Sequence, residues 1–192
     1  VVMGTLSKIY VKNDNIDNII NEFKTFYSIK RIEFLDTPKW WLYAPKETII
    51  ISFEYENWIE IEVQFNYSLY IYDEFLRRLS EKYLTIILLV YYQSTTGEGR
   101  VAIFQRGRMN LSIVQNYVRE ENVDKNILTD NFGLPISLKN KFQIPNLYDE
   151  CYVFGYDFIN YFLEKEGVFS LSKQKKYHYI HIEKINENTR YY

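Results

Sequence analysis

The residues best suited to chemistry in this sequence are carboxylates. Glu54, Glu56, Glu60 and Glu62 recur at even spacing around Trp58, and Gln64 and Asn66 continue the series. Residues two apart share a face in extended chain. Glu54 and Glu56 therefore line the polar face of one strand, and Trp58, Glu60 and Glu62 that of the next. Such carboxylates could hold a divalent cation, although a cage draws its ligands from converging loops. They could exchange protons, given a pocket that separates their pKa values. An acidic face carrying aromatics could also dock a basic protein, gaining association rate from charge and affinity from its rings. The plain alternative is the wet face of an amphipathic sheet. Among the functional readings the pattern favours docking, with Glu54, Glu56, Trp58, Glu60 and Glu62 as the partner-binding set.

The other reactive types are less organised. Arg77, Arg78, Arg100, Arg106 and Arg108 gather in sequence around the middle of the chain. They read as a solvated rim, with Arg100, Arg106 and Arg108 a second candidate patch for an anion or a partner. His178 and His181 stand three apart on an expected strand, so they face opposite ways and do not suit a metal. Cys151 falls on the apolar stripe of an expected helix, where a buried thiol is the default. Gly97-Glu98-Gly99-Arg100 joins two strands with no helix behind it, so it reads as a turn rather than a phosphate loop. No catalytic residue, metal ligand or cofactor is expected, and the chain reads as a binding protein rather than an enzyme.

The elements that would position these residues are legible from periodicity. Ser7–Val11 reads as a strand. Asp14 or Asn15 caps a helix carrying Ile16, Ile19, Ile20, Phe23 and Tyr27. Arg31–Leu35 and Trp40–Tyr43 read as extended on either side of Pro38. Ile49–Tyr55 and Trp58–Tyr67 alternate clearly and would pair across Glu56-Asn57. Tyr72, Phe75, Leu76, Leu79 and Tyr83 share one helical face. Thr85–Tyr92 is uncharged throughout, as expected of a central strand covered on both faces. Val101–Gln105 and Arg108–Val118 flank Arg106-Gly107, where glycine supplies the positive φ of a tight hairpin. Residues 120–146 read as a long connection with one short extended piece. Asn146 then caps a helix bearing Cys151, Phe154, Phe158, Ile159, Phe162 and Leu163, and Tyr177–Ile185 is a final strand. The expectation is one α+β domain: a mostly antiparallel sheet with about three helices packed on it, its core in 7–119 and a helix and strand in 147–185.

Composition bounds the rest. Of 192 residues, 47% are hydrophobic and 18% aromatic, enough for a sizeable core. Nineteen tyrosines exceed what a core needs and suit an interface. A net charge of −2 gives no general attraction to phosphate, which disfavours nucleic acid. The lone cysteine fits a reducing compartment, and no apolar run is long enough to span a bilayer. Val1-Val2-Met3-Gly4 lacks the basic-then-apolar order of a signal peptide. A cytoplasmic location with no membrane contact is expected.

Ser80-Glu81-Lys82-Tyr83-Leu84-Thr85, the strand ending Tyr92-Gln93-Ser94, then Val101-Ala102-Ile103-Phe104 and Gly107-Arg108 form a helix–strand–hairpin cadence. Over Trp58–Tyr117 this resembles small cytosolic bacterial immunity proteins, which protect cells from polymorphic toxins delivered by neighbours. The resemblance implies a stoichiometric inhibitor whose partner is a toxin domain, here one with a basic surface. The alternatives are an enzyme using the 54–62 carboxylates and a phage or host structural interaction module.

Overall fold

The N-terminal strand lies deep inside the sheet, and most of the architecture follows from that. The computed structural model describes residues 4–35, 48–63, 67–120, 123–142, 154–169 and 177–185. In chain order the elements are β1 Thr5–Lys12, α1 Ile16–Phe26, β2 Tyr27–Leu35, β3 Thr48–Tyr55 and β4 Trp58–Glu62. A 3-10 helix Tyr67–Tyr72 and α2 Asp73–Lys82 follow. Then come β5 Ile86–Gln93, β6 Glu98–Gln105, β7 Arg108–Glu120, β8 Val123–Thr129, α3 Leu138–Phe142, α4 Tyr156–Lys165 and β9 Tyr177–Ile185. The nine strands form one sheet in the order β2-β9-β3-β4-β1-β5-β6-β7-β8. Every neighbouring pair is antiparallel. This is a single α+β domain dominated by its sheet.

Local chemistry accounts for the elements. The Asn15 side chain accepts a hydrogen bond from the Asn18 N–H at 3.2 Å and caps α1, whose Ile19, Ile20, Phe23 and Phe26 are buried. The β6–β7 hairpin turns on Arg106 and Gly107, both at positive φ (52° and 75°), as a two-residue turn matching strand twist requires. In β5, Ile87, Leu88, Leu89, Val90 and Tyr91 are all fully buried. Ile87, Leu89 and Tyr91 join the core under α1 and α2. Leu88 and Val90 join the core under α3 and α4 on the opposite face. β5 is thus a covered central strand, as its lack of charge implies.

Several expected boundaries move: Tyr27, expected on the first helix, begins β2, and Glu98, Gly99 and Arg100, expected in a turn, begin β6. Residues 123–129, expected within a connection, form β8, registered along β7 from Val114↔Thr129 to Glu120↔Val123. An edge strand has one wet side and few core positions, so its polar sequence carries no strong alternation. The last long helix begins at Tyr156 rather than near Asn146, because Gly155 is extended (φ −171°, ψ 176°) and serves as its N-cap. Phe154, outside the helix, packs against Gly99, whose added Cβ would lie 2.4 Å from the ring. The strand at Trp58 ends at Glu62, with a 3-10 helix resuming at Tyr67. The expected Trp40–Tyr43 segment, Gln64, Asn66, Asn146 and Cys151 lie outside the described residues.

Candidate functional site

The sheet brings the predicted acidic residues beside lysines. β4 lies between β3 and β1, with Glu62 opposite Lys8, Glu60 opposite Tyr10 and Trp58 opposite Lys12. Lys8 Nζ donates to Glu60 Oε1 at 2.8 Å, and Glu60 is buried. Trp58 is buried too: its indole N–H donates to the Gly167 carbonyl at 3.1 Å, beyond the end of α4. Lys12 Nζ stands 5.9 Å over its ring. Glu56, in the β3–β4 turn, and Glu62 are exposed, and Glu54 belongs to the backbone of β3. The five residues therefore do not form one exposed acidic face. Helix α4 and the turn after it cover Trp58, and β1 supplies a counter-charge. The alternation Lys8, Tyr10, Lys12 in the first strand carried that signal, but only the pairing of β1 with β4 gave it meaning.

The second patch divides as well. Arg100 is wholly buried. Its Nη1 and Nη2 donate to Asp73 Oδ1 and Oδ2 at 2.9 and 2.8 Å, a bidentate pair with the first turn of α2. Its Nε donates to Ser112 Oγ at 3.2 Å, and the guanidinium lies 4.2 Å from the Tyr70 ring centre. Arg100 thus fastens α2 to the sheet and cannot meet a partner. Arg106 and Arg108 are exposed at the hairpin tip. Arg78 pairs with Glu74 on the outer side of α2. His178 is buried in β9, its ring 4.9 Å from Phe34. Among the described residues, no three His, Cys, Asp or Glu side chains converge as a metal would need.

A different surface emerges at the end of the sheet where the Arg106-Gly107 hairpin turns. Ile86 at the start of β5 pairs with Gln105, and Gln105 pairs with Arg108. The α2–β5 junction therefore adjoins the hairpin. Leu84 occupies that junction with φ 48° and is 80% exposed. The N–H of Thr85 reaches the Ser80 carbonyl at 3.1 Å across it. A helix end closed this way normally places glycine in the left-handed position. Leucine there costs on the order of 1–2 kcal/mol, and burial offsets none of it.

On the other side of the hairpin, β8 runs on into a rigid turn. Asp130 Oδ1 accepts the N–H groups of Phe132 at 2.8 Å and Leu134 at 3.0 Å. The Asp130 N–H bonds the Leu134 carbonyl, the Gly133 N–H bonds the Asp130 carbonyl, and Ile136 bonds back to Leu128. Asn131 accepts from the Ser112 N–H, which ties the turn to β7. This scaffold holds Phe132 at 85% exposure and Leu134 at 60%. Two apolar projections, each on a fixed backbone, thus lie on either side of the arginine hairpin across the sheet, the second set back along β7 at Ser112.

A cleft of about 150 Å³ lies elsewhere, lined by Tyr55, Asn160, Leu163, Glu164, Val168 and Phe169. It would hold one side chain or small ring. No helix among the described residues is long and apolar enough to cross a membrane. No protein-family model, curated protein or solved structure matches the chain.

Proposed function

We propose that this chain is a non-catalytic protein-binding inhibitor of the immunity kind, which neutralises a toxin domain by occupying its surface. The observation that carries this reading is the loop-end surface of Leu84, Arg106, Arg108, Phe132 and Leu134. Exposed phenylalanine and arginine are types enriched at interfaces, and turns already formed lower the cost of ordering the side chains they carry. The closed end of α2 sets the left-handed backbone at Leu84, and an exposed leucine stands there where glycine would relieve the strain.

The helix–strand–hairpin cadence of Trp58–Tyr117 supports the same reading, because its junction and hairpin build half of that surface. The partner-binding role moves from the strand face at 54–62 to the loop end. Glu60 already meets Lys8, and Trp58 is covered, so among the residues of that set whose side chains are described only Glu56 and Glu62 are exposed. The reading implies a chain that works in the cytoplasm of the cell it protects. The test is growth rescue. A toxin domain encoded beside this gene is expressed in a susceptible host with and without the chain. Survival that requires the chain, with a 1:1 complex recovered, supports the proposal. Unrelieved killing at equal expression would sink it.

A further inference from the structure

We infer that the loop-end surface recognises a protein whose contact face is acidic, with carboxylates set between apolar sockets; this rests on the inhibitor reading and names its partner chemistry. The charge argument is local. The chain as a whole carries −2, yet the hairpin tip presents Arg106 and Arg108, and Lys141 is exposed in α3, which follows the 130–135 turn. The carboxylates nearby include Asp130, whose Oδ1 accepts two backbone N–H groups, Glu81, which lies against Gly107, Glu22, which meets Lys82 Nζ and the Tyr83 hydroxyl, and Asp14, two residues past the Lys12 carbonyl that accepts from Thr85. Arginine is suited to such a face: its planar fork engages a carboxylate through two parallel hydrogen bonds.

The apolar argument concerns geometry. Neighbouring strands stand about 4.8 Å apart and residues rise about 3.3 Å along each; Leu84 beside β5 and Phe132, whose turn is tied to Ser112 four residues up β7 from Arg108, therefore lie roughly 20 Å apart, three spacings across and about four residues along. One partner can cover both within the ~800 Å² that a standard interface takes from each side. Across the sheet the arginine tip falls between them, level with Leu84 and set forward of the 130–135 turn. A fitting partner therefore carries carboxylates at the centre of its contact and apolar sockets on either side. A cleft whose working groups are acidic has that character. A cleft built to hold nucleic acid is basic and does not.

A random dodecapeptide library displayed on phage, panned against the purified chain, tests the inference before any natural partner is identified. Enriched peptides should combine Asp or Glu with aromatic residues or leucine, and their binding should weaken as salt rises. Arg106→Glu with Arg108→Glu should lower that binding about tenfold or more, and Phe132→Ser likewise. Leu84→Gly should also weaken it while leaving the melting temperature equal or higher, since it relieves the positive φ; that variant separates lost contact from lost fold. Basic enriched peptides, equal binding to all variants, or enrichment no better than an unrelated bait would overturn the inference. A concentration-dependent dimer abolished by Phe132→Ser would overturn it too, because a second copy would then cover the patch. Growth rescue separates the two claims. Peptide binding of the expected kind without rescue removes the toxin and keeps the surface. Rescue undiminished by the arginine and Phe132 changes removes the surface and keeps the toxin.

Discussion

Removing the Asp73 carboxylate should be among the most damaging single changes outside the apolar core. Arg100 is fully buried and Asp73 is 15% exposed at its side chain, so the pair sits at the inner end of a short path to water. Asp73→Ala would remove the bidentate carboxylate from a guanidinium that also donates to Ser112 Oγ and Met109 Sδ and lies over the Tyr70 ring, contacts that carry no opposing charge. Breaking a buried pair by deleting one partner costs roughly 3–5 kcal/mol. The exposure of Asp73 argues for the lower part of that range. Domain stabilities of about 5–15 kcal/mol make even that a large fraction. Asp73 also lies in the first turn of α2, where an acid interacts favourably with the helix dipole by about 0.3–1 kcal/mol. Glu74→Ala, which removes a dipole contribution in the same turn together with the exposed Arg78 pair, sets an upper bound on that share. Guanidinium titration of the two variants and of Asp73→Leu with Arg100→Met isolates the pair. The double replacement should recover most of the loss, because buried ion pairs exchanged for apolar groups of similar volume are often neutral. If Asp73→Ala costs no more than Glu74→Ala, the pair is effectively solvated and α2 is held by its apolar face alone.

Three other outcomes are expected. Leu89→Ala, in the covered strand β5, should cost about 2–5 kcal/mol in the same titration; a value under about 0.5 would contradict burial on both sides. Gly99→Ala should destabilise by about 1–3 kcal/mol through collision with the Phe154 ring, and Phe154→Leu should restore part of it; equal melting temperatures for wild type and Gly99→Ala would mean that Phe154 packs elsewhere. Burial pushes the Tyr27 and Tyr72 hydroxyls, which share a hydrogen bond, well above the ordinary tyrosine range. The fold keeps those protons while the unfolded chain releases them near pH 10. Their contribution to stability is therefore complete below pH 10 and lost as pH rises beyond it. Tyr72→Phe should make that alkaline loss shallower, as read by chemical denaturation from pH 8 to 11; an unchanged slope would refute the assignment.

The sequence by itself determined the elements that rest on nearest-neighbour chemistry. An α1 cap at Asp14 or Asn15, the stripe of α2, the uncharged β5 and the Arg106-Gly107 hairpin all follow from spacing and from conformational preference within a few residues. Those signals survive folding because the groups involved meet each other before anything distant does. The candidate site depended on distant partners. Glu60 and Trp58 read as a wet face because their strand alternates; only β1 beside them and α4 above reveal one carboxylate meeting Lys8 and a covered indole. Arg100 reads as part of a basic rim until α2 brings Asp73 onto it. Phe132 and Leu134 lie in a polar stretch with no period, and β8 is an edge strand, so nothing local marks them. Exposure and charge pairing are set by which segments tertiary packing brings together, and burial turns on that proximity. An alternating strand announces two faces, but it takes the rest of the chain to decide which of them meets water.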